Sequence, residues 1–359
     1  CIRDRLRTEL ANSAISWSPL IFTRSGGILG KLWDLLRMHA AAVAIAFRIR
    51  PSLVHARGHA PAQVGLLLKR LFKARLLFDF RGLWVEERVD KGSWQLTNPW
   101  HRWQYQYYKQ VEQDLLRQAD HLVVLTEAVV PEVLRLGVLT RDRITVIPCC
   151  ADFNYFPLAT TDQRQKARRQ LGIPERSLVL GYLGSVGGMY LTERFLQLVS
   201  FAATQLTNVQ VLVLTPDREA FLKLMDQQLP RPIRLIVHVH SADRKHVAAW
   251  LPAMNLLVAF ARPGYARISM SPTKLAEAWA SGIPALCNSG VGDVAQLVIE
   301  LDSGMVIDAA ADQELEAAVK AIPALINKGG GRLRNAAQAR LSLDLAADRY
   351  IGIYRLLRS

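Results

Sequence analysis

The stretch Ser271-Pro272-Thr273-Lys274-Leu275-Ala276-Glu277, closed by Ser281-Gly282-Ile283-Pro284, puts a cation and a carboxylate on one short expected helix. Ser271 suits the N-cap, because its hydroxyl can accept a free backbone N–H. Pro272 suits the first helical position, which needs no N–H. Gly282 and Pro284 end the helix. Lys274 falls in the first turn, where the macrodipole is already positive, at a cost of roughly 0.3–1 kcal/mol. A phosphate there reverses the sign, since the free N–H groups and the ammonium then act together. Lys274 and Glu277 share a helix face, while Leu275 and Trp279 can face a core. One helix can thus hold a diphosphate through Lys274, with Ser271 and Thr273 as lesser donors, and a ribose diol through Glu277. The alternative is a solvated Lys/Glu pair on a surface helix.

Other chemistry-bearing residues sit where apolar runs end. Leu183 runs into Gly184-Ser185-Val186-Gly187-Gly188, a loop whose N–H groups could approach phosphate oxygens. A plain tight turn is the simpler alternative. Phe260 runs into a loop carrying Arg267, a second candidate cation or a solvated loop charge. Phe78-Asp79-Phe80 runs into Arg81-Gly82-Leu83-Trp84-Val85-Glu86-Glu87, a plausible cleft wall or an ordinary ion-pair site. His55 and His59 flank Arg57 and could touch substrate or serve structure. Between Trp84 and Tyr108, Trp and Tyr alternate with basic residues; such a mix suits sugar rings, lipid headgroups or nucleic acid, or helix packing alone. Lys69, Arg70 and Lys73 cluster as on an interfacial membrane helix, or on a helix that covers a sheet.

Positioning these residues is a task for alternating strands and helices. The expected strands are Leu53–Ala56, Leu76–Phe80, His121–Leu125, Ile144–Pro148, Leu178–Leu183, Val209–Leu214, Ile233–Val239, Asn255–Phe260 and Pro284–Cys287. They are apolar throughout, as parallel strands covered on both faces are. Helical periods fill the gaps: 31–47, 60–73, 100–117, 192–204, 217–228, 243–250 and 312–326. The pattern argues for an α/β fold of two doubly wound domains. The polar stretch Pro157–Arg169 marks the boundary. We therefore expect domains over 1–156 and 157–342, with a last helix over 343–359.

The bulk properties agree. The 359 residues suffice for two domains, and 50% are hydrophobic. The net charge of +14 suits anionic partners: nucleic acid, an anionic bilayer or phosphorylated substrates. Residues 1–150 carry 22 Lys and Arg against 13 Asp and Glu, so this half is the more basic. No helix-turn-helix, finger or RNA-reading signature supports nucleic acid, and none is expected as a partner. The four cysteines show neither a disulfide framework nor zinc spacing, which suits a reducing cytoplasm. No metal site is expected.

Taken together the chain resembles the retaining glycosyltransferases of family four, the large group with the GT-B fold. The likeness rests on Leu180-Gly181-Tyr182-Leu183-Gly184-Ser185, on Ser271 to Ala278, and on Gly282-Ile283-Pro284 with Gly290-Val291-Gly292-Asp293. In the first half it rests on Val54-His55-Ala56-Arg57, Asp79-Phe80-Arg81-Gly82-Leu83-Trp84, Ala119-Asp120 and Val146-Ile147-Pro148 with Asp152-Phe153. The resemblance implies two Rossmann-like domains facing across a cleft. The N-terminal one binds the acceptor and the C-terminal one a nucleotide sugar. A final helix over 343–359 crosses back, and the opening strand and glycine-rich loop would precede residue 1.

Three positions depart from the family pattern. Ser269 stands where a first glutamate commonly contacts the donor sugar, Ser185 replaces a basic loop residue, and Arg81 replaces a common histidine. The expected reaction is transfer of a sugar from a nucleotide diphosphate to a glycan or lipid-linked acceptor. It would proceed with retention, in bacterial-type cell-surface polysaccharide or glycolipid synthesis. The nucleotide sugar is a co-substrate, and no cofactor is expected. The catalytic candidates are Lys274 and Arg81. Gly184, Ser185, Arg267, Ser269, Ser271, Thr273, Lys274 and Glu277 are the expected donor site; His59, Trp84 and Glu86 are expected on the acceptor side. An anionic membrane surface on the cytoplasmic face is a further expected partner. The rival reading is a degenerate paralogue that binds without turnover.

Overall fold

The computed structural model describes residues 10–11, 13–23, 27–137 and 140–358. The first sheet holds β1 (Leu53–Arg57), β2 (Arg75–Asp79), β3 (His121–Val124) and β4 (Ile144–Val146) in sequence order. The second holds β5 (Leu178–Leu183), β6 (Val209–Leu214), β7 (Val237–His240), β8 (Leu256–Ala259), β9 (Ala285–Asn288) and β10 (Gly304–Ile307). Its order is β10-β9-β8-β5-β6-β7, and the pairs in both sheets are parallel. This is the doubly wound order, and its direction reverses between β5 and β8. Ligands of such sheets bind in the crevice outside the carboxyl ends of those two strands. The strands are apolar throughout because helices cover both faces; β3 and β9 are buried at every residue.

Several elements differ from the sequence reading. The polar stretch expected to mark the boundary holds a helix, Thr161–Leu171. Thr160 and Gln163 close a capping box at its start, and Ala167 and Leu171 enter the second core. The strand expected over Ile233–Val239 is shortened to Val237–His240, because Pro230-Arg231-Pro232 begins a short helix over Arg231–Arg234. The sequence reading lacked β10; it is a four-residue edge strand, only half-buried over most of its length. The short helix Trp84–Asp90 was likewise not foreseen.

The chain passes between the two halves at Ala151 and returns beside it. Ala151 N–H donates to Leu341 O and Leu343 N–H donates to Ala151 O, both at 3.0 Å. The last helix, Leu343–Arg358, then packs Ala346 and Ile353 on Leu77, Val123 and Ile147 of the first half. The halves also meet at their loops. Thr126 Oγ1 donates to Ile268 O at 2.6 Å, and Asp293 accepts from the N–H groups of Glu127 and Ala128.

The basic cluster on the His59–Phe72 helix is partly structural. Lys69 Nζ donates to Gln118 O and Asp120 Oδ2, both at 2.7 Å, and Arg70 donates to Gln118 Oε1. That helix packs on Gly27–Ile49, where Ala46 meets Val64 and Leu68. Elsewhere on Gly27–Ile49, Leu29, Leu32, Trp33 and Leu36 are exposed. Among the described residues no helix is long and apolar enough to cross a membrane.

Candidate active site

The helix after the crevice runs Thr273–Ala280. Its C-terminal end has both bonds of a Schellman motif: Gly282 N–H donates to Trp279 O and Ile283 N–H to Ala278 O. Gly282 has φ +70°, and a Cβ there would meet Gly330 O at 2.8 Å. Its N-terminal end corrects the sequence reading. Pro272, not Ser271, is the cap, and no side chain caps this end. Ser271 Oγ instead accepts from Cys149 N–H at 3.0 Å, because the junction of the two halves offers that amide no strand partner.

Lys274 does not lie in solvent. Its ammonium sits over the Tyr190 ring, 3.8 Å from the centroid. Among the described residues, no carboxylate oxygen lies within 4 Å of it and no hydrogen bond holds it. Burial pushes its pKa down to about 7, against the opposing influence of Cys287 and Glu277. Tyr190 is itself fixed. It pairs with Ala261 in an antiparallel bridge, and Arg262 N–H donates to Met189 O at 2.7 Å. The loop after β5 is thereby tied to the loop after β8, across the winding reversal. Gly184 has φ +133°, and a Cβ there would stand 2.8 Å from Lys274 Nζ. A glycine is needed for the ammonium to approach the loop.

Lys274 and Glu277 share an open cleft of about 390 Å³ with Gly184, Tyr190, Ser271, Thr273 and Arg244. Burial raises the Glu277 carboxyl, while Arg244 and Lys274 pull it down. Arg244 was missed in the sequence. It follows β7 at the start of the Arg244–Trp250 helix and stacks over Tyr155, 5.4 Å from the ring centroid. A cation just beyond the carboxyl end of a strand was the available signal.

The other expected donor residues divide. Ser185 is exposed at the loop tip. The loop's amides are largely spent inside the protein, against the expectation of a free phosphate cradle. Gly184 N–H donates to Leu214 O, Val186 N–H to Asp217 Oδ2 and Gly187 N–H to Thr192 Oγ1. Arg267 is buried and does not line the cleft, though its charge reaches Tyr190. Ser269, 2% exposed, faces the other half: it accepts from Leu83 N–H at 3.1 Å and donates to Ala266 O. A Cβ on Gly82, at φ +142°, would meet Ser269 Oγ at 3.0 Å, so this contact is a tight one.

A second cavity, about 430 Å³, lies in the first half and is lined by Lys31, His59, Gln63, Arg81, Trp84 and Tyr108 among others. Arg81 reaches Cys149 Sγ at 3.5 Å and stands 3.8 Å from Asp79. Glu86 is absent from this wall. It lies between helices, 3.1 Å from Lys109 Nζ and accepting from Tyr105 OH at 2.9 Å, so the ion-pair alternative describes it. Glu87 lines the cavity in its place. Among the described residues no cluster of three His, Cys, Asp or Glu could hold a metal ion.

Comparison with known proteins agrees with this architecture. Residues 14–150 match the glycosyl transferase 4-like domain. The D-inositol 3-phosphate glycosyltransferase of Corynebacterium urealyticum is 24% identical over 378 residues, covering 99% of this chain and 78% of that one. Among solved structures, the sucrose-phosphate synthase of Thermosynechococcus elongatus aligns with a TM-score of 0.69 at 20% identity, over 96% of this chain and 85% of that one. Anabaena HepE, in complex with UDP and glucose, aligns with a TM-score of 0.69 at 17% identity, over 98% and 89%. The first half thus matches a glycosyl transferase 4-like domain, and the two parallel-sheet α/β domains share the GT-B fold of these solved glycosyltransferases.

Proposed function

We propose that this protein transfers a sugar from a nucleotide-diphosphate sugar to a glycan or lipid-linked acceptor, with retention and without a metal ion. Lys274 carries the reading. A half-buried ammonium with no carboxylate partner, held over an aromatic ring at the mouth of a crevice, is a costly arrangement that an anion relieves. Two unit charges about 4 Å apart interact by roughly 4 kcal/mol at an effective dielectric near 20. That attraction grows in value as the sugar–phosphate bond breaks and the diphosphate gains charge. Arg244 supplies a second cation in the same cleft, and Glu277 takes the ribose hydroxyls. Arg81, in the second cavity, faces the acceptor. Because HepE was solved with UDP and glucose, UDP-glucose is the first donor to try.

A thermal-shift panel of UDP-, GDP- and ADP-sugars tests donor binding, since a ligand of the folded state raises its apparent stability. Turnover with the best donor then tests transfer. The anomer of the product reads retention, and activity in a chelator reads metal independence. Ser269 favours a second reading, a binding paralogue, because the position of the sugar-contacting glutamate is spent on Leu83 N–H. Donor binding with no turnover would select it.

Glu277→Gln tests the ribose contact. Charge-assisted hydrogen bonds are about twice as strong as neutral ones, so the variant should bind the free nucleotide diphosphate and the full donor more weakly. A 2′-deoxy donor should bind poorly to wild type and lose little more in the variant. Simple additivity of the two losses by calorimetry would remove Glu277 from the ribose.

We also propose that the protein works on the cytoplasmic face of an anionic membrane, in synthesis of a cell-surface polysaccharide or glycolipid. The docking face we favour is not the Lys69 cluster but Gly27–Ile49, where Leu32, Trp33 and Leu36 are exposed beside Arg37. Apolar insertion and basic attraction then act together. Sedimentation with anionic vesicles should fall sharply in a Leu32→Ser, Trp33→Ser double variant. Unchanged sedimentation, or equal binding to neutral vesicles, would count against this face.

A further inference from the structure

The cavity of the first half rests on a chain of buried charges that the donor chemistry does not use. Glu112 is wholly buried on the Pro99–Gln118 helix. One of its oxygens lies 3.0 Å from His59 Nε2, the other 2.7 Å from Lys109 Nζ. Lys109 continues to Glu86, which accepts from Tyr105 OH. Burial pulls the Lys109 ammonium down, and Glu112 and Glu86 together more than offset it. A carboxylate this deep is tolerated only when paired and hydrogen-bonded. The ion pair Glu112–Lys109 already meets the charge requirement. The bond to His59 is additional, and it has a geometric consequence.

His59 is the first residue of its helix, and its ring is walled by Phe78, Phe80 and Trp84 at centroid distances of 5.7, 5.3 and 5.9 Å. With Nε2 donating to Glu112, the neutral ring carries its proton there and Nδ1 becomes a hydrogen-bond acceptor. Nδ1 has no protein partner among the described residues, and the ring lines the cavity beside Trp84, Tyr108 and Gln63.

We propose that His59 Nδ1 accepts a hydrogen bond from a hydroxyl of the sugar acceptor, and that Glu112 is the positioning residue that fixes the ring and its tautomer for that contact. The acceptor is a neutral ring polyol whose face lies against Trp84 or Tyr108, as apolar C–H faces of sugars do against aromatic rings. No proton needs to leave the hydroxyl to His59 in this role. The inference rests on the glycosyl-transfer reading but concerns the other cavity.

Nitrogen-15 spectra of the histidine rings in the intact protein test it. In wild type, His59 should show a protonated Nε2 and a bare Nδ1. Added methyl glucoside, methyl mannoside or myo-inositol should move the Nδ1 signal. In Glu112→Gln the tautomer preference should be lost and the sugar response should weaken about tenfold in affinity, while UDP-glucose affinity stays at the wild-type value. A His59 signal that is doubly protonated, or a Nδ1 signal unmoved by all three sugars, overturns the proposal. The wild-type titration stands even if the variant does not fold. Absence of UDP-glucose binding with a positive sugar titration would sink the donor reading alone.

Discussion

Lys274→Met should reduce transfer by about 10²-fold or more and, in the same protein, raise the melting temperature. The two effects have one cause. On the proposed reading the ammonium meets the leaving diphosphate, and the empty protein gives it no carboxylate. Removing a preorganised charge from a developing leaving group costs on the order of 10²–10³ in rate. The stability effect has a definite sign. The folded pKa is about 7 and the ordinary value 10.5. Between those values the unfolded chain binds a proton that the folded one does not, so stability falls as pH falls from 10.5 toward 7. At neutral pH the penalty approaches about 4 kcal/mol at one pKa unit per 1.36 kcal/mol. Methionine keeps a favourable sulfur–aromatic contact with Tyr190 and carries no charge. The variant should therefore melt several degrees higher by calorimetry without ligand. It should also lose most of the upward shift that UDP-glucose gives the wild type. Turnover within a few-fold of wild type would remove Lys274 from the leaving-group role. A lower melting temperature would mean that the lysine serves the fold.

The sequence made this much visible because the Lys274 helix is written locally. A proline at one end, Gly282 at the other and a cation in the wrong turn can be read without tertiary context. The parallel strands were legible for a similar reason: burial on both faces demands continuous apolar runs, as in Val209–Leu214. Short elements escaped where that demand weakens. The edge strand β10 is half-covered, and the Thr161–Leu171 helix is so polar that it reads as a boundary until its capping box is noticed. The roles that failed to show are those set by the meeting of the two halves. Nothing local tells Ser271 to accept from Cys149 or Ser269 from Leu83, residues more than a hundred positions away. Glu86 and Glu87 are neighbours with equal chemistry, and only helix packing against Tyr105 and Lys109 decides which of them lines the cavity. Lys274 was legible as an odd charge, but its isolation over Tyr190 was not. That isolation depends on a bridge between the ends of two strands that are far apart in sequence.

Donor binding should also carry a proton. A free-state pKa of about 7 means that Lys274 is largely neutral above that pH when the cleft is empty. A diphosphate favours the ammonium and raises the pKa in the complex. The wild-type affinity for UDP-glucose should therefore be flat below pH 6 and fall above pH 7, by about tenfold per unit, until the pKa of the complex is reached. The intact sugar nucleotide is the proper probe, because its diphosphate has no ionisation near neutrality, whereas a terminal phosphate titrates near pH 6. The groups facing Lys274 that could imitate the effect are Cys287, Glu277 and the two tyrosines beneath it. Burial lifts the Cys287 thiol to about 12, and the Tyr182 hydroxyl to about 12, out of the range. Burial raises the Glu277 carboxyl, and its ionised form opposes anion binding. Two variants separate the sources. Lys274→Met should bind weakly with no slope above pH 7, and Glu277→Gln should bind weakly with the slope intact. Calorimetry in buffers of different ionisation enthalpy should find close to one proton taken up per donor bound at pH 8 in wild type and none in Lys274→Met. A wild-type affinity that stays level from pH 7 to pH 9 would show that the ammonium does not meet the diphosphate, and the cleft would lose its assignment as the donor site.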